Sequence, residues 1–301
     1  SNAIDEFNRL KTDSTVGHII NVLHDLLGDS PRMAYFVHMI PAYDEIHRIL
    51  KSDGTFYLHL DPHVSHYAKI VLDEIFDADN FRAEIIWKRH GANNSAHRPG
   101  PIHDVILMYS KTDNYYWNME YGVPYKDDEI ETAFPKVDVN KRRFKLCSLT
   151  APDKCDGDSG TPWRGLNPAM MGKGRHWAIP NNLQALIPSD KTTYVEKLDF
   201  LLEKDKIVKT EKTARYRLYQ DVSRGKPVQN VWTDINRVND PRDTKKPIEL
   251  LMRIIQMSSK EGDIVLDPYV GAGTTLEASY ATKRCGIGID VDLLSLNDIA
   301  K

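Results

Sequence analysis

Residues 264–275 read IVLDPYVGAGTT, which joins a short apolar run to an acid, a proline and a glycine-rich turn. The run Ile264-Val265-Leu266 predicts a short buried strand, and residues 274–281 predict a helix directly after the turn. A second predicted strand, residues 285–289, ends in Asp290. In α/β sheets, ligands bind at the carboxyl ends of the strands, and glycines let the backbone approach a ligand closely. The pattern therefore predicts a ligand site in which Asp290 accepts hydrogen bonds from ribose hydroxyls.

Two alternatives to a nucleoside cofactor site of this kind are a nicotinamide dinucleotide site and a plain strand-turn-helix. The dinucleotide pattern G-x-G-x-x-G requires a third glycine, where this chain has Leu276. In addition, Asp267 ends the first strand, and an acid there suits a cationic ligand better than a pyrophosphate. In the plain strand-turn-helix the glycines serve only the turn. Each of the two predicted strands ends in an acid. This favours a nucleoside cofactor with a cationic group over a nicotinamide dinucleotide and over a turn without a ligand.

Length and composition limit the remaining classes of protein. The chain has 301 residues, of which 41% are apolar and 28% charged. This suits a soluble protein with one large α/β domain carrying an insertion, or with two small domains. No apolar run approaches the length of a membrane span, so no membrane partner is expected. The formal net charge of −3 restricts any nucleic-acid surface to a local patch.

The cysteines and the first residues indicate a cytoplasmic protein without a metal. Cys147, Cys155 and Cys285 are too few and too scattered for a disulfide framework or a zinc site. We interpret them as free thiols in a reducing cytoplasm. The start, Ser1-Asn2-Ala3, is typical of a scar left by tag cleavage, and no signal peptide is recognisable.

Hydrophobic periodicity predicts regular structure at both ends of the chain and little in the middle. Helices are predicted over residues 16–28, 33–50, 64–76 and 247–258, and strands over residues 55–60, 83–88 and 104–110. Between residues 118 and 228, short apolar stretches alternate with Pro, Gly, Asp and Lys. This predicts an inserted region with little regular core.

Several stretches resemble motifs of the N4/N6 amino-methyltransferases that act on DNA. Residues 267–275, DPYVGAGTT, resemble the D-P-F-x-G-x-G-T-T cofactor motif of that family. Residues 244–247, TKKP, resemble its T-Q-K-P, with Lys245 in place of Gln, and residues 231–235, VWTDI, resemble the V-W-T-D-I just upstream. The front half matches in the stretches HRILK at 47–51, YLHLD at 57–61, EIIWKR at 84–89 and HDVILMYSK at 103–111.

The order of these motifs resembles the permuted arrangement called the beta class. It implies a catalytic half over residues 1–117, an inserted target-recognition region over 118–228, and a cofactor-binding half over 229–301. The implied fold is α/β and Rossmann-like, a mostly parallel twisted sheet with helices on both faces. One antiparallel hairpin is expected near Ile85 and Ile106.

The implied cofactor is S-adenosyl-L-methionine. Position by position, the resemblance assigns cofactor binding to Asp267, Pro268, Gly271, Gly273, Thr274, Thr275, Asp290, Lys246 and Pro247. Asp290 would hold the ribose, while Asp267 and the glycines would surround the methionine part and the sulfonium. For Lys246 and Pro247, the alternative is a helix start and nothing more.

The catalytic loop of the family, D/N/S-P-P-Y/F/W, has no counterpart here, because the sequence contains no Pro-Pro pair. In the family this loop accepts hydrogen bonds from the target amine and stacks an aromatic side chain on the flipped base. The catalytic residues therefore stay unknown, and we expect no methyl transfer from the chain as printed. One interpretation is that a segment between Ala3 and Ile4 is absent. The alternative is an inactive relative that binds cofactor or DNA as a subunit or regulator.

The implied function is site-specific DNA methylation, as in restriction-modification, on the exocyclic amine of a flipped base. Adenine N6 is favoured over cytosine N4 by analogy alone. The implied partner is double-stranded DNA, and a homodimer is left open. The residues predicted to contact DNA are Lys88, Arg89, His90, Arg215 and Arg217.

Two stretches motivate the predicted DNA contacts. Residues 203–226 carry eight Lys or Arg against four Asp or Glu, and the insertion interleaves aromatic residues, namely Trp163, Trp177, Tyr216 and Tyr219. Basic and aromatic side chains suit phosphate contact and base stacking, although a solvated charged face is the alternative. His90, Asn93, Asn94 and His97 lie in the loop after Arg89, where the alternative is a disordered loop.

Overall fold

The computed structural model describes residues 3–12, 16–91, 97–119, 121–152, 157–172, 174–238 and 245–292. The chain forms two compact units. Unit 1 comprises Ser1–Tyr121 and Val228–Lys301, and unit 2 comprises Gly122–Pro227. Unit 2 is therefore inserted, in sequence, between the two halves of unit 1.

The first half of unit 1 is helical to residue 49 and then combines strands with one more helix. Its helices are α1 Ala3–Leu10, α2 Gly17–Leu27, α3 Pro31–Ile49 and α4 Pro62–Phe76, and its strands are β1 Thr55–Leu60, β2 Phe81–Lys88 and β3 His103–Ser110. Helix α3 begins where it does because the hydroxyl of Ser30 accepts a hydrogen bond from the backbone N–H of Met33 and Pro31 follows the cap. The helices and strands predicted for this half from periodicity are confirmed to within a few residues.

Unit 2 is a small mixed unit. Its helices are α5 Asp127–Ala133, α6 Asn181–Gln184 and α7 Tyr194–Glu203, and its strands are β4 Lys136–Val137, β5 Arg143–Ser148, β6 Thr150–Pro152, β7 Arg175–Trp177, β8 Ile207–Lys209 and β9 Ala214–Tyr219. Antiparallel pairing gives a four-stranded sheet in the order β4-β5-β9-β8 and a separate pair β6-β7.

The prediction that this region has little regular core is wrong. Trp163 and Trp177 are buried at 1% and 0% exposure and meet edge-on, with ring centroids 6.0 Å apart. They share a cluster with Leu149, Leu166, Leu183, Leu198, Leu201, Ile207 and Ala214, against which Tyr216 packs. The two tryptophans are therefore core residues, which removes them as platforms for base stacking. The core escaped prediction because its members come from short strands and loops without a sustained period.

The second half of unit 1 contains β10 Val231–Trp232, α8 Ile248–Ser258, β11 Ile264–Asp267, α9 Thr274–Ala281 and β12 Cys285–Gly288. Strand β10 joins the strands of the first half in a four-stranded sheet, in the order β1-β3-β2-β10. Strands β11 and β12 form a parallel pair of their own. The strand, turn and helix predicted around residues 264–281 are confirmed.

The α/β class is confirmed, but the described strands of unit 1 do not form a mostly parallel sheet. Strand β3 pairs antiparallel with both β1 and β2, whereas β2 with β10 and β11 with β12 are parallel. The predicted antiparallel hairpin is confirmed, since Ile85 lies opposite Ile106. The sheet is mixed because β3 folds back between β1 and β2 and is buried along nearly its whole length.

Two clusters of buried side chains hold unit 1 together. The larger cluster packs helices α1 to α4 against β1 and β3, with Phe36, Tyr43, Phe76 and Tyr109 among its largest members. The other lies around Trp87 and Trp232 and includes residues of α8. In the part of the chain that the structure describes, no helix is long and apolar enough to cross a membrane.

Candidate functional site

The glycine-rich turn between β11 and α9 takes backbone conformations that favour glycine. Gly271 has a φ of 49° and Gly273 a φ of 82°, both in the left-handed region. Gly273 is also the N-cap residue of α9, which begins at Thr274. A side chain at either position would be strained. The turn therefore brings the first N–H groups of α9, which lack partners within the helix, to the carboxyl end of β11.

Asp267, the last residue of β11, braces this turn through both oxygens of its carboxylate. Oδ1 accepts a hydrogen bond from the backbone N–H of Tyr269 at 3.0 Å. Oδ2 accepts one from the hydroxyl of Thr275, in the first turn of α9. Asp267 and Thr275 therefore shape the turn, and their contact with a cofactor stays a prediction.

Asp290 follows β12 and lies beside the same turn. Its Oδ2 accepts a hydrogen bond from the backbone N–H of Gly271 at 2.7 Å, and its Oδ1 accepts one from the backbone N–H of Asp292 at 2.8 Å. These backbone donors hold the pKa of Asp290 below its usual range, so the carboxylate is charged at neutral pH. Each oxygen has room for a second hydrogen bond, so Asp290 is able to accept hydroxyl donors while it holds the turn.

The glycines of this region differ in what surrounds them. Within the part of the chain that the structure describes, a Cβ built on Gly271 would meet no heavy atom within 4 Å, which leaves space for a ligand beside it. A Cβ on Gly286 would lie 2.8 Å from Cδ2 of Leu276, and one on Gly288 would lie 3.1 Å from Cδ1 of the same side chain. Glycines on β12 thus make room for Leu276, at the position where the dinucleotide pattern has its third glycine. Sequence reasoning missed this role, although Gly286-Ile287-Gly288 was its signal.

A second polar group lies at the carboxyl end of β1 and the start of β3. The carboxylate of Asp104 is buried, with Nε2 of His59 at 2.8 Å from its Oδ2 and Nη1 of Arg89 at 3.3 Å from its Oδ1. Burial alone would raise the pKa of Asp104, but the hydrogen bond from His59 and the charge of Arg89 hold it below its usual range. Burial lowers the pKa of His59. At neutral pH a neutral imidazole therefore faces a charged carboxylate. Sequence reasoning quoted all three stretches but missed that they meet.

Lys246 and Pro247 precede α8, and Lys246 belongs electrostatically to this second group. Pro247 is buried and caps α8, which confirms the helix start. Burial lowers the pKa of Lys246, and the nearby cations Arg89 and Arg237 lower it further. The carboxylate of Asp104 opposes that shift. The predicted contact of Lys246 and Pro247 with a cofactor stays a prediction.

A cleft of about 300 Å³ lies next to Arg89. Its walls are formed by Lys88, Arg89, His90, Gly91, Thr233, Asn236 and Arg237. The three consecutive residues of unit 1 that were predicted to contact DNA thus line one cleft. The structure adds Arg237 to them, whose Nη1 lies 3.4 Å from Nε2 of His90.

The stretches at 84–89 and 231–235 bind each other. The indole Nε1 of Trp87 donates a hydrogen bond to the carbonyl oxygen of Ile235 at 2.9 Å. Asp234 pairs through both carboxylate oxygens with the guanidinium of Arg253 in α8, and Arg253 is 6% exposed. These contacts give the two motifs a structural role that fixes the cleft wall formed by Thr233 and its neighbours.

Arg215 and Arg217 lie on β9 of unit 2 and, two positions apart, share one face of its sheet. Arg215 is exposed, while the guanidinium of Arg217 pairs with the carboxylate of Asp205. Tyr219 follows on the same face, with the guanidinium of Arg142 4.1 Å from its ring centroid. This face therefore carries basic and aromatic side chains in place of the buried tryptophans.

Some residues named in the sequence analysis lie outside the described part of the chain, namely Asn93, Asn94, Cys155 and Thr244. His97 is described and exposed. Within the described ranges, no group of three or more His, Cys, Asp or Glu side chains is arranged to hold a metal ion.

Comparison with known sequences finds DNA methyltransferases among the relatives of this chain. A family profile described as a DNA methylase matches residues 28–301. The type II methyltransferase M.EcaI of Enterobacter cloacae is 31% identical over 261 residues, which cover 84% of this chain and 54% of that protein. The Mod subunit of the type III restriction-modification enzyme StyLTI of Salmonella typhimurium is 25% identical over 301 residues, 93% of this chain and 44% of that protein. The chain spans about half the length of these two curated relatives.

Solved structures with some similarity include two DNA methylases. One, a DNA modification methylase of Thermus thermophilus solved with S-adenosyl-L-methionine, is 15% identical, with a TM-score of 0.44 over 88% of this chain and 75% of that one. The other, the cytosine-N4-specific PvuII DNA methyltransferase, is 12% identical, with a TM-score of 0.45 over 91% and 72%.

Proposed function

The chain belongs to the DNA methylase family whose profile spans residues 28–301, and from that premise we propose that it is a methyltransferase of the restriction-modification type. In this proposal a methyl group passes from S-adenosylmethionine to the exocyclic amine of a flipped DNA base, with adenine N6 as the target. The observation that carries the proposal is the turn between β11 and α9, where Asp290 and Gly271 border an open space. Nothing in the comparisons supports the alternative of an inactive binding module.

The residues around this turn fit a nucleoside cofactor. S-adenosylmethionine supplies a methyl group already activated by a sulfonium. The residues that would hold it are Asp267, Pro268, Gly271, Gly273, Thr274, Thr275 and Asp290, with Lys246 and Pro247 as a further wall. The charged carboxylate of Asp290 accepts hydrogen bonds from the ribose hydroxyls. The left-handed glycines let the backbone come close to the ligand, because no Cβ stands between them.

The layout of the domain is proposed on the same basis. Residues 1–117 and 229–301 would form the catalytic and cofactor-binding halves of a Rossmann-like methyltransferase domain, and residues 118–228 the target-recognition region. DNA would contact Lys88, Arg89 and His90 in unit 1. In unit 2, Arg215 and Arg217 would contact it from the sheet face that also carries Tyr219. Positively charged side chains attract the DNA backbone in either unit.

No residue of this chain is assigned to the transfer step itself. The lone pair of an exocyclic amine is delocalised into the ring, so transfer requires positioned acceptors for the amine hydrogens. The sequence has no D/N/S-P-P-Y/F/W stretch to provide them. The described residues would bind and orient: Asp290 and the turn would hold the cofactor, and the basic side chains would hold the DNA.

Binding experiments on the chain as printed test the proposal. Isothermal titration should show S-adenosylmethionine and its demethylated product binding at one site, and no binding of a nicotinamide dinucleotide. Fluorescence anisotropy should show binding of a labelled duplex that weakens as salt rises. Methyl transfer is measured on the product of the complete gene with tritiated cofactor. Preference for the dinucleotide, or a complete gene product without transfer to any DNA, would refute the proposal.

A further inference from the structure

The cleft next to Arg89 has walls of one charge sign. Of the described side chains that form it, Lys88, Arg89 and Arg237 are cationic, and none is acidic. The remaining walls, His90, Thr233 and Asn236, offer hydrogen-bonding groups, and Gly91 adds an exposed backbone. A small concave surface of this composition suits an anion that accepts several hydrogen bonds.

The cations of the cleft act on one another. The charges of Arg89 and Arg237 add to burial in lowering the pKa of His90. The same two cations lower the pKa of Lys246 behind the cleft. The carboxylate of Asp104 opposes both shifts without cancelling them, so the local charge of the cleft favours an anion.

The guanidinium of Arg89 forms an ion pair with a buried acid. The buried carboxylate of Asp104 lies 3.3 Å from its Nη1 and is itself held by His59. An arginine anchored in this way loses less side-chain entropy when it binds a ligand than a free surface arginine does. The ion pair thus gives the cleft a positioned donor, and Lys88 adds an exposed one.

The geometry points to a phosphate site: we propose that this cleft binds one phosphodiester group of the DNA backbone through Arg89, Lys88 and Arg237. This proposal rests on the proposed function, and it deepens that function by assigning these residues to the backbone and not to a base. A phosphodiester presents two anionic oxygens, which suit donors that converge from several walls. Among the residues that the structure describes, the cleft walls contain no Phe, Tyr or Trp on which a base could stack. A contact of this kind fixes the position of the DNA and carries no sequence information.

The test is the salt dependence of DNA binding by the full chain. The probe is a fluorescein-labelled duplex of 20 base pairs and mixed sequence, titrated at several salt concentrations. The variant K88Q/R237Q removes two cations from the cleft and leaves the Arg89 anchor intact. The control, R48Q/K51Q, makes the same charge change at two exposed residues at the end of α3 and just beyond it.

We expect K88Q/R237Q to bind at least about tenfold more weakly at low salt. The slope of log K against log salt should fall by about one, and the control should keep the parent slope. The loss should be equal for duplexes of unrelated sequence. Because Arg237 has further contacts, K88Q alone is measured as well, with thermal melting to verify the fold, and it should show part of the same slope change.

Each other outcome counts against the site. An unchanged slope in both variants, with the parent still binding DNA, would overturn the phosphate site and leave the proposed function standing. A loss confined to one sequence would make the cleft a base-reading site. A weaker affinity for S-adenosylmethionine with unchanged DNA binding would assign the cleft to the cofactor. If the parent chain binds no DNA at all, both the site and the proposed function fail.

Discussion

The backbone N–H of Gly271 lies 2.7 Å from Oδ2 of Asp290, so the acid that follows β12 also closes the turn that follows β11. The parallel strands β11 and β12 are thereby connected at their carboxyl ends by the side chain of Asp290, in addition to the backbone hydrogen bonds between them. An acid in this position has two tasks that single substitutions are able to separate. One is to accept hydrogen bonds from a ligand, and the other is to keep Gly271 where the ligand needs open space.

The first prediction separates these tasks with two substitutions of Asp290. Asp290→Asn keeps one side-chain oxygen, which is enough for one of the two backbone hydrogen bonds, and loses the charge, whereas Asp290→Ala loses the charge and both hydrogen bonds. We expect the affinity for S-adenosylmethionine, measured by isothermal titration, to fall about tenfold in the Asn variant, because a charge-assisted acceptor becomes neutral. The Ala variant should bind more weakly still and melt at a lower temperature. Glu261→Gln, an exposed acid in the turn before β11, is the control and should bind as the parent does. Equal affinity in the parent and the Asn variant would show that Asp290 holds only the turn.

The second prediction concerns the close packing of β12 on α9. A Cβ at Gly286 would stand 2.8 Å from Cδ2 of Leu276 and 3.2 Å from Cβ of Ser279, so Gly286→Ala should destabilise unit 1 by about 1–3 kcal/mol in urea denaturation. In the Gly286→Ala background, Leu276→Val should cost less than it costs in the parent, because the shorter side chain relieves the overlap. Gly91→Ala, where a Cβ would meet no heavy atom within 4 Å, is the control. Strictly additive effects of the Gly286 and Leu276 substitutions would contradict the packing argument.

The sequence predicted correctly those elements whose parts are adjacent along the chain. The turn from Asp267 to Thr275 was predictable because its strand, glycines and helix follow one another within a dozen residues. The close approach of His59, Asp104 and Arg89 was not predictable, because it depends on β3 lying between β1 and β2. Hydrophobic periodicity does not indicate the order of strands in a sheet.

Burial was the other feature that composition did not reveal. Trp163 and Trp177 stand among polar and basic residues in the sequence, which favoured an exposed stacking role. Their indole N–H groups are in fact hydrogen-bonded inside unit 2, to Asp199 at 2.9 Å and to the carbonyl oxygen of Thr161 at 2.7 Å. A tryptophan needs both apolar neighbours and a partner for its N–H, and only the folded chain shows where these come together.

The third prediction tests the structural role of the stretch at 231–235. Asp234 pairs with Arg253, whose guanidinium is buried over the ring of Trp232 at 5.0 Å. Asp234→Asn should lower the free energy of unfolding by about 1–3 kcal/mol, less than for a pair buried on both sides, because Asp234 is itself exposed while Arg253 is buried. Adding Arg253→Met should restore part of that loss, because no buried charge is then left unpaired. Denaturant titration of the two single variants and the double variant measures this, and a double variant less stable than Asp234→Asn would contradict the pairing argument.

The last prediction concerns pH and the buried pair of His59 and Asp104. Burial lowers the pKa of His59 below its ordinary value of 6.5, so the folded protein resists protonation of the imidazole more than the unfolded chain does. A group with a lowered pKa contributes stability that is complete above its unfolded pKa and is lost as the pH falls. The stability of the parent should therefore decline below about pH 6.5, with a slope from this one proton of up to about 1.4 kcal/mol per pH unit. The pKa of Asp104 is also lowered, but its effect begins only below its ordinary value of 3.8, outside this window.

His59→Gln isolates that component, because the glutamine amide still donates to Asp104 but does not titrate. At pH 7.5 the variant should be less stable than the parent, and the difference should shrink as the pH falls from 6.5 to 5. His38→Gln, on the exposed face of α3, is the control and should leave the shape of the parent's curve unchanged. Urea denaturation at half-unit steps of pH gives both curves. A difference in the free energy of unfolding between His59→Gln and the parent that stays constant from pH 6.5 to 5 would contradict this prediction. It would mean that the imidazole of His59 has the same pKa in the folded and unfolded protein, so that the buried pair is not the source of the acid sensitivity.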